Sequence, residues 1–119
     1  MEKMFLADTD KENIKELTCL LQKDQFIQPD VWQDLESCKS FIETSETGVL
    51  FVRIDDPTLP GLELTHLAAR YYPIIHTVWM AENESYALEA FQRGVTAFIV
   101  LPATAEKLKT AKKIIDCCR

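Results

Sequence analysis

Apolar residues gather in four short segments of the chain, with a weaker fifth segment between the first two. The four lie at residues 4–7, 49–54, 74–80 and 97–101, and the weaker one lies at residues 26–32. Each of the four is a continuous apolar run, which is typical of strands covered on both faces in a parallel sheet. Pro29 interrupts the weaker segment and therefore favours an edge strand there.

Segments with helical periodicity separate these predicted strands. Asp10, Asp34, Asn83 and Thr104 can cap four of the helices, while Gly61 precedes the remaining one. Each helix is predicted to bury one face. The residues expected to face inward are, helix by helix, Ile14, Leu17, Leu20 and Leu21; Cys38, Phe41 and Ile42; Leu64, Leu67, Ala68 and Tyr71; Ala87, Ala90 and Phe91; and Leu108, Ala111, Ile114 and Ile115.

A strand followed by a helix, repeated five times, predicts an α/β fold with a parallel five-stranded sheet and right-handed crossovers. We expect a flavodoxin-like (βα)5 three-layer sandwich with strand order 2-1-3-4-5. The 119 residues suit a single domain, 1–119. Functional residues of such sheets gather where the strands end at their carboxyl edge.

The charge balance narrows the range of partners. Thirteen Lys and Arg stand against 19 Asp and Glu, a formal net charge of -6, so direct nucleic-acid binding by this domain is not expected. No apolar run is long enough for a signal peptide or a membrane span, which predicts a cytosolic protein. The four cysteines form no CxxC pair, so we expect reduced thiols, two of them in the core, and no metal site.

Three segments carry a family resemblance. Residues 49–64 join an apolar strand to a loop in which Pro57 and Gly61 are spaced as in a known pattern, residues 86–102 hold Gly94 and Pro102, and residues 5–10 read FLADTD. Together they resemble the receiver (CheY-like) domains of response regulators over essentially the whole chain. The resemblance implies phosphoryl transfer from a phosphohistidine to an aspartate with Mg²⁺.

The residues at the positions of that chemistry differ from the family pattern almost everywhere. The resemblance places Asp8 at one of the two acidic positions, Thr9 at the other with Asp10 following, Arg53 at the acceptor, Val78 at the Ser/Thr position and Leu101 at the Lys position. A guanidinium stays protonated and has no nucleophilic oxygen, so it cannot accept a phosphoryl group. We therefore expect a dismantled pocket without Mg²⁺, in which Arg53 forms an ion pair with Asp8.

Several residues near this pocket have more than one interpretation. Asp55 or Asp56 would be the acceptor if the third strand bulged, although the spacing of Pro57 argues against this. Trp79 packs at a helix or loop margin, or lies over the pocket as a lid. Phe98 matches the aromatic switch residue of the family, but an ordinary half-buried phenylalanine is the favoured interpretation.

The predicted function is a phosphorylation-independent receiver, or pseudo-receiver: a non-enzymatic protein-interaction module in a two-component or transcription-regulatory system. Two alternatives stay open, a phospho-accepting receiver using Asp55 or Asp56 with Mg²⁺, and a small-molecule sensor with its ligand in the altered crevice. A homodimer through the fourth and fifth helices is also predicted, from charges that would meet across a twofold axis: Glu82, Glu84 and Glu89 against Lys107 and Lys112. Family analogy further suggests that residues 1–119 could be the first domain of a longer regulator.

Overall fold

Strands and helices alternate along the chain in a computed structural model that describes residues 2–25, 28–44 and 46–118. The elements are β1 (Lys3–Ala7), α1 (Lys11–Gln25), β2 (Asp30–Val31), α2 (Leu35–Thr44), β3 (Gly48–Arg53), α3 (Gly61–Ala69), β4 (Ile75–Ala81), α4 (Ala87–Gln92), β5 (Ala97–Val100) and α5 (Ala105–Cys117). A single 3-10 turn, Glu84–Tyr86, precedes α4. The part of the predicted second strand at residues 26–27 lies outside the described residues.

The five strands form one parallel sheet in the order β2-β1-β3-β4-β5, which confirms the predicted fold class. Side chains of β3 alternate between two apolar clusters. Val49 and Phe51 pack with residues of α1 and α5 on one face, whereas Leu50 and Val52 pack with residues of α2, α3 and α4 on the other. Because the central strands are covered on both faces, their sequences read as continuous apolar runs.

Side chains cap four helical segments as the sequence predicts. Asp10 accepts hydrogen bonds from the first-turn amides of α1, and Asp34 accepts one from the Ser37 amide at 2.7 Å. Asn83 caps the 3-10 turn, and Thr104 accepts from the Lys107 amide at 3.2 Å. These bonds satisfy backbone donors that have no partner inside the helix.

The fourth helix departs from the prediction. Phe91 and Ala87 were expected to face inward, but both are exposed, and Phe91 is 82% exposed. The helical segment opens with the three residues of the 3-10 turn, followed by a helix of only six residues, so the face that reaches the sheet is limited to Ala90. Leu88, at 67% exposure, lies outside with Phe91.

Two smaller expectations were also wrong. Ile114 of α5 is 40% exposed, because Leu108, Ala111 and Ile115 already supply the buried stripe of that helix. Of the four cysteines, only Cys38 is buried, where two were expected in the core. Burial raises the pKa of the Cys38 thiol to about 12, so this thiol stays protonated and unreactive. No helix in the described segments is both long and apolar enough to cross a bilayer.

Candidate functional site

Arg53 is the last residue of β3 and lies at the carboxyl edge of the sheet. In the register of the sheet, Val52 lies beside Ala7 of β1, and Arg53 lies beside Met80 of β4. Because the carboxyl ends of parallel strands meet at one edge, the Arg53 side chain enters the space between the loops that follow β1, β3 and β4. The side chain is only 9% exposed, so its charge must be met by the protein.

Four carboxylates surround the Arg53 guanidinium, and we call this group of five residues the Arg53 network. The Nε atom lies 2.6 Å from Asp55 Oδ1, and Nη2 lies 3.3 Å from Glu82 Oε1. Nη1 lies 3.7 Å from Asp10 Oδ2 and 3.8 Å from Asp8 Oδ2. A planar fork with five N–H donors suits such a set, which a lysine ammonium would not match.

The charges of the network do not cancel, since one cation faces four carboxylates. Burial alone would lower the pKa of the Arg53 guanidinium, but the hydrogen bond and charge of Asp55, with the charges of Asp8 and Glu82, outweigh burial and raise that pKa above its ordinary value. Glu82 and Asp10 have side chains that are 76% and 51% exposed, so water screens the excess negative charge there.

The predicted ion pair between Arg53 and Asp8 is present, but it is the longest of the four contacts. Asp8 is 2% exposed, and its carboxylate accepts hydrogen bonds from the Asp10 amide at 2.9 Å and from Asn13 Nδ2. Asn13 was not predicted as a site residue. Asn13 is the third residue of α1, and its place in the first turn of the helix was the available sign that it could reach back to the end of β1.

Asp55 and Asp56 lie in the loop after β3 and serve as structural acceptors. Asp55 Oδ2 accepts a hydrogen bond from the Glu82 amide at 3.0 Å, which connects the β3–α3 loop to the β4–α4 loop. Asp56 Oδ1 accepts the amide and the hydroxyl of Thr58, at 2.9 and 2.6 Å, and Asp56 Oδ2 accepts the Thr9 hydroxyl. Partial burial opposes ionisation of Asp56, but these hydrogen bonds outweigh it and lower its pKa.

The structure corrects the position given to Val78. Val78 lies beside Phe51 and Ala97, two residues before the residue that neighbours Arg53, and it packs in the core against α1 and α5. Met80 occupies the place beside Arg53 that had been assigned to Val78. The pocket still has no hydroxyl group at this position, because Met80, like Val78, has none.

Trp79 is neither a lid nor a marginal residue. It is fully buried on the face of the sheet that α2, α3 and α4 cover, and its Nε1 donates to Thr65 Oγ1 at 2.9 Å. Phe98 pairs with Trp79 across the strands and is half-buried against the same cluster. Both side chains therefore point away from the Arg53 network.

Leu101 and Pro102 lie where they were predicted, at the rim of the site. They line a cleft of about 400 Å³ beside Arg53. The other residues lining this cleft are mainly acidic: Asp10, Glu12, Asn13, Glu16 and Glu82. Thr9 is exposed and turned toward Asp56 rather than into the cleft.

Three of the five residues predicted for a charged dimer interface already have partners within the chain. Glu82 belongs to the Arg53 network, and Glu89 pairs with Arg93 at 2.9 Å. Lys107 Nζ donates to the carbonyl oxygens of Val100 at 2.7 Å and of Pro102 at 3.1 Å. Glu84 and Lys112 are exposed.

The residues at this edge do not fit Mg²⁺. An octahedral Mg²⁺ site needs carboxylate and water oxygens around the ion, whereas here the guanidinium lies between the carboxylates of Asp8, Asp10 and Asp55. The Asp8 oxygens are also engaged by Asp10 and Asn13. Within the described ranges, no group of three or more His, Cys, Asp or Glu side chains is arranged to hold a metal ion.

Solved structures of response-regulator receivers superpose on 97–100% of the chain. The beryllofluoride-activated NtrC4 receiver domain dimer is 19% identical, with a TM-score of 0.80 and 100% of both chains covered. The chain has the receiver fold. A receiver domain protein from Clostridium thermocellum is 18% identical at a TM-score of 0.76, covering 98% of this chain and 96% of that one.

A third receiver-fold structure, the bacteriophytochrome response regulator RtBRR, is 19% identical at a TM-score of 0.73 and covers 97% of this chain and 78% of that one. At these identities the similarity establishes the fold, while the chemistry must be argued from the residues. No protein-family model matches the sequence, and no curated protein matches it significantly.

Proposed function

We propose that this receiver fold acts without phosphorylation, as a non-enzymatic, cytosolic protein-interaction module of a signalling or gene-regulatory system. The observation that carries the proposal is Arg53, which ends β3 with its guanidinium held by four carboxylates. Phosphoryl acceptance at this position requires a nucleophilic carboxylate, and a permanently protonated guanidinium cannot provide one.

The neighbours of Arg53 support the same conclusion. Met80 lies beside it on β4, and Leu101 lies at the rim beyond β5. Neither side chain can donate a hydrogen bond to a phosphoryl oxygen. Lys107, the first lysine of α5, directs its ammonium to the carbonyl oxygens of Val100 and Pro102. The donors that would stabilise a transferred phosphoryl group are therefore replaced by apolar side chains.

Asp55 and Asp56 are poor candidates for the acceptor. The two oxygens of Asp55 are taken by Arg53 Nε and the Glu82 amide, and those of Asp56 by Thr58 and Thr9. A carboxylate that is stabilised by cations and donors is a weaker nucleophile. The alternative of a phospho-accepting receiver is therefore less favoured than the inert module.

We infer that the protein partner, or a second copy of the chain, docks on the surface formed by α4, β5 and α5. The contact would be apolar in its centre rather than charged, since Leu88, Phe91 and Ile114 are exposed while most of the proposed charges are already paired. β5 is the last strand in the sheet order, and a groove of about 590 Å³ runs between it and α5. Exposed apolar groups around such an edge are typical of interaction sites.

The test is to challenge the chain with phosphoryl donors and phosphoryl mimics. The ¹⁵N-labelled chain is titrated with beryllofluoride and Mg²⁺ while its amide spectrum is recorded, and a second sample is incubated with acetyl phosphate and weighed by intact-mass spectrometry. We expect no saturable amide shifts and no added phosphoryl group. Light scattering on the same samples reports whether the chain is dimeric, and whether Phe91→Asp makes it monomeric.

A phospho-accepting receiver domain treated in parallel shows that the reagents are active. An added phosphoryl group that maps to Asp55 or Asp56, and that disappears in the Asp55→Asn or Asp56→Asn variant, would overturn the proposal. Saturable Mg²⁺-dependent shifts around Asp8 would overturn it equally, because they would show that a metal enters the site despite Arg53.

A further inference from the structure

A second cleft opens at the opposite, amino-terminal edge of the sheet, between α3 and the loop that leads from α4 into β5. Its volume is about 430 Å³, which lies within the range of small-molecule pockets. Its walls are mostly apolar, with Ala69 of α3, Tyr72, Ile75 and Val95 among the lining residues. The Arg53 network lies at the other end of the strands, so the two clefts are separate.

Thr77 contributes a hydroxyl group to this second cleft. It lies on β4, is 7% exposed, and lines the cavity. The neighbouring threonines are hydrogen-bonded within the chain, since Thr65 binds Trp79 and Thr96 binds His76. Within the described part of the chain, no side-chain hydrogen bond involves Thr77. Its hydroxyl group is therefore available to a molecule in the cleft.

Arg93 places a cation at the mouth of the cleft. Its side chain is 44% exposed, and Nε donates to Glu89 at 2.9 Å. Among the described residues, no carboxylate accepts a hydrogen bond from the two terminal guanidinium nitrogens, so they can bind an anion from solvent. The next residue, Gly94, has φ of 71°, and a Cβ atom built on it would meet no atom within 4 Å. The mouth is therefore open next to the cation.

We propose that this cleft binds a small aromatic carboxylic acid. The ring would pack on Tyr72, Ile75 and Val95, a hydrogen bond would reach Thr77, and the carboxylate would face Arg93. An apolar body with one charged end matches a mostly apolar cavity that has one hydroxyl group without a hydrogen bond from the described residues and a cation at its rim. The proposal does not depend on the inert state of the Arg53 network.

The test is a titration of the ¹⁵N-labelled chain with benzoate, with benzyl alcohol and acetate as matched probes. Benzoate has both ring and charge, benzyl alcohol keeps the ring without the charge, and acetate keeps the charge without the ring. We expect saturable shifts of the Thr77, Gly94 and Thr96 amides with benzoate, weaker ones with benzyl alcohol, and none with acetate. Absence of saturable shifts with benzoate would overturn the proposal, and so would shifts centred on Arg53.

Substitutions distinguish binding in the cleft from nonspecific binding elsewhere on the protein. Ala69→Trp fills the cleft from α3 and should abolish the shifts, while Arg70→Trp, at the next exposed position outside the lining, should retain them. Arg93→Met should lower the affinity for benzoate about tenfold, equivalent to about 1.4 kcal/mol, and leave the affinity for benzyl alcohol unchanged. Thr77→Val should weaken binding of both. Equal benzoate affinity in Ala69→Trp and wild type, with both folded by their amide spectra, would contradict this site.

Discussion

The two edges of the sheet differ in how their polar groups are used. At the carboxyl edge, the Arg53 guanidinium is enclosed by four carboxylates, and the loops after β1, β3 and β4 are tied together by Asp55 and Asp56. At the amino edge, the Thr77 hydroxyl group lies in a cleft with no hydrogen bond from the described residues. In open α/β sheets, ligands usually bind at the carboxyl edge. Here the cation at that edge is the protein's own Arg53, and the cleft beside it is lined mainly by acidic residues, whereas the cleft at the other edge is mostly apolar.

Removal of the central cation should produce the largest effect. Arg53→Met leaves the carboxylates of Asp8 and Asp55 without the positive charge that stabilises them. Removing one member of a buried ion pair costs roughly 3 kcal/mol or more. We expect a loss of that size in the free energy of unfolding, measured by urea denaturation. Arg93→Met is the matched control: its ion pair with Glu89 is exposed and should cost less than about 0.5 kcal/mol. Equal effects of the two substitutions would show that burial does not distinguish these arginines.

An intermediate effect is expected at Asp56, which links two loops of the carboxyl edge. Its pKa is lowered from the ordinary value of 3.8, so the folded state binds this proton less readily than the unfolded state. The stabilisation is therefore complete above about pH 4 and is lost as the pH falls through the lowered pKa. Asp56→Asn should cost on the order of 1 kcal/mol at neutral pH. The difference from wild type should shrink below pH 4 in urea titrations at several pH values, and a constant difference would contradict this role.

The smallest effect is expected at the amino edge. Thr77→Val keeps the shape of the side chain and removes a hydroxyl group that no described residue binds, so the free energy of unfolding should change by less than about 1 kcal/mol in either direction. Thr65→Val is the control on the same face, because it would leave the Trp79 Nε1 donor without its acceptor and cost about 2 kcal/mol. A large loss in Thr77→Val would show that the hydroxyl group is part of the folded network and would weaken the proposed ligand site.

Much of the fold could be predicted from the sequence, because strands buried on both faces have continuous apolar sequences. Four of the strands lie within one or two residues of the predicted apolar segments, and Asp10, Asp34, Asn83 and Thr104 cap as expected. The sheet order, expected from the flavodoxin-like arrangement of five strand–helix units, was also correct. The fourth helix was harder, because six helical residues after a 3-10 turn carry too little periodicity to define a buried face.

The site was predicted only in part, and the reason is register. Val78 was placed at the edge, whereas Met80 lies beside Arg53, and two residues along a strand displace a side chain by about 6.6 Å. An apolar run such as residues 74–80 does not show where its strand ends. Arg53 itself was identified correctly as the cation at the end of β3. The closer partners, Asp55 and Glu82, come from loop conformations that no periodicity encodes.

The enclosure of Arg53 also limits what this sequence can become. Replacing it by aspartate in one step would place a fifth carboxylate among Asp8, Asp10, Asp55 and Glu82, with no counter-charge at the centre. Such a variant would be destabilised by repulsion between like charges, and Met80 and Leu101 would still supply no hydrogen-bond donors to a phosphoryl group. A site able to accept a phosphoryl group would therefore require several coordinated substitutions around Arg53, and not the replacement of this arginine alone.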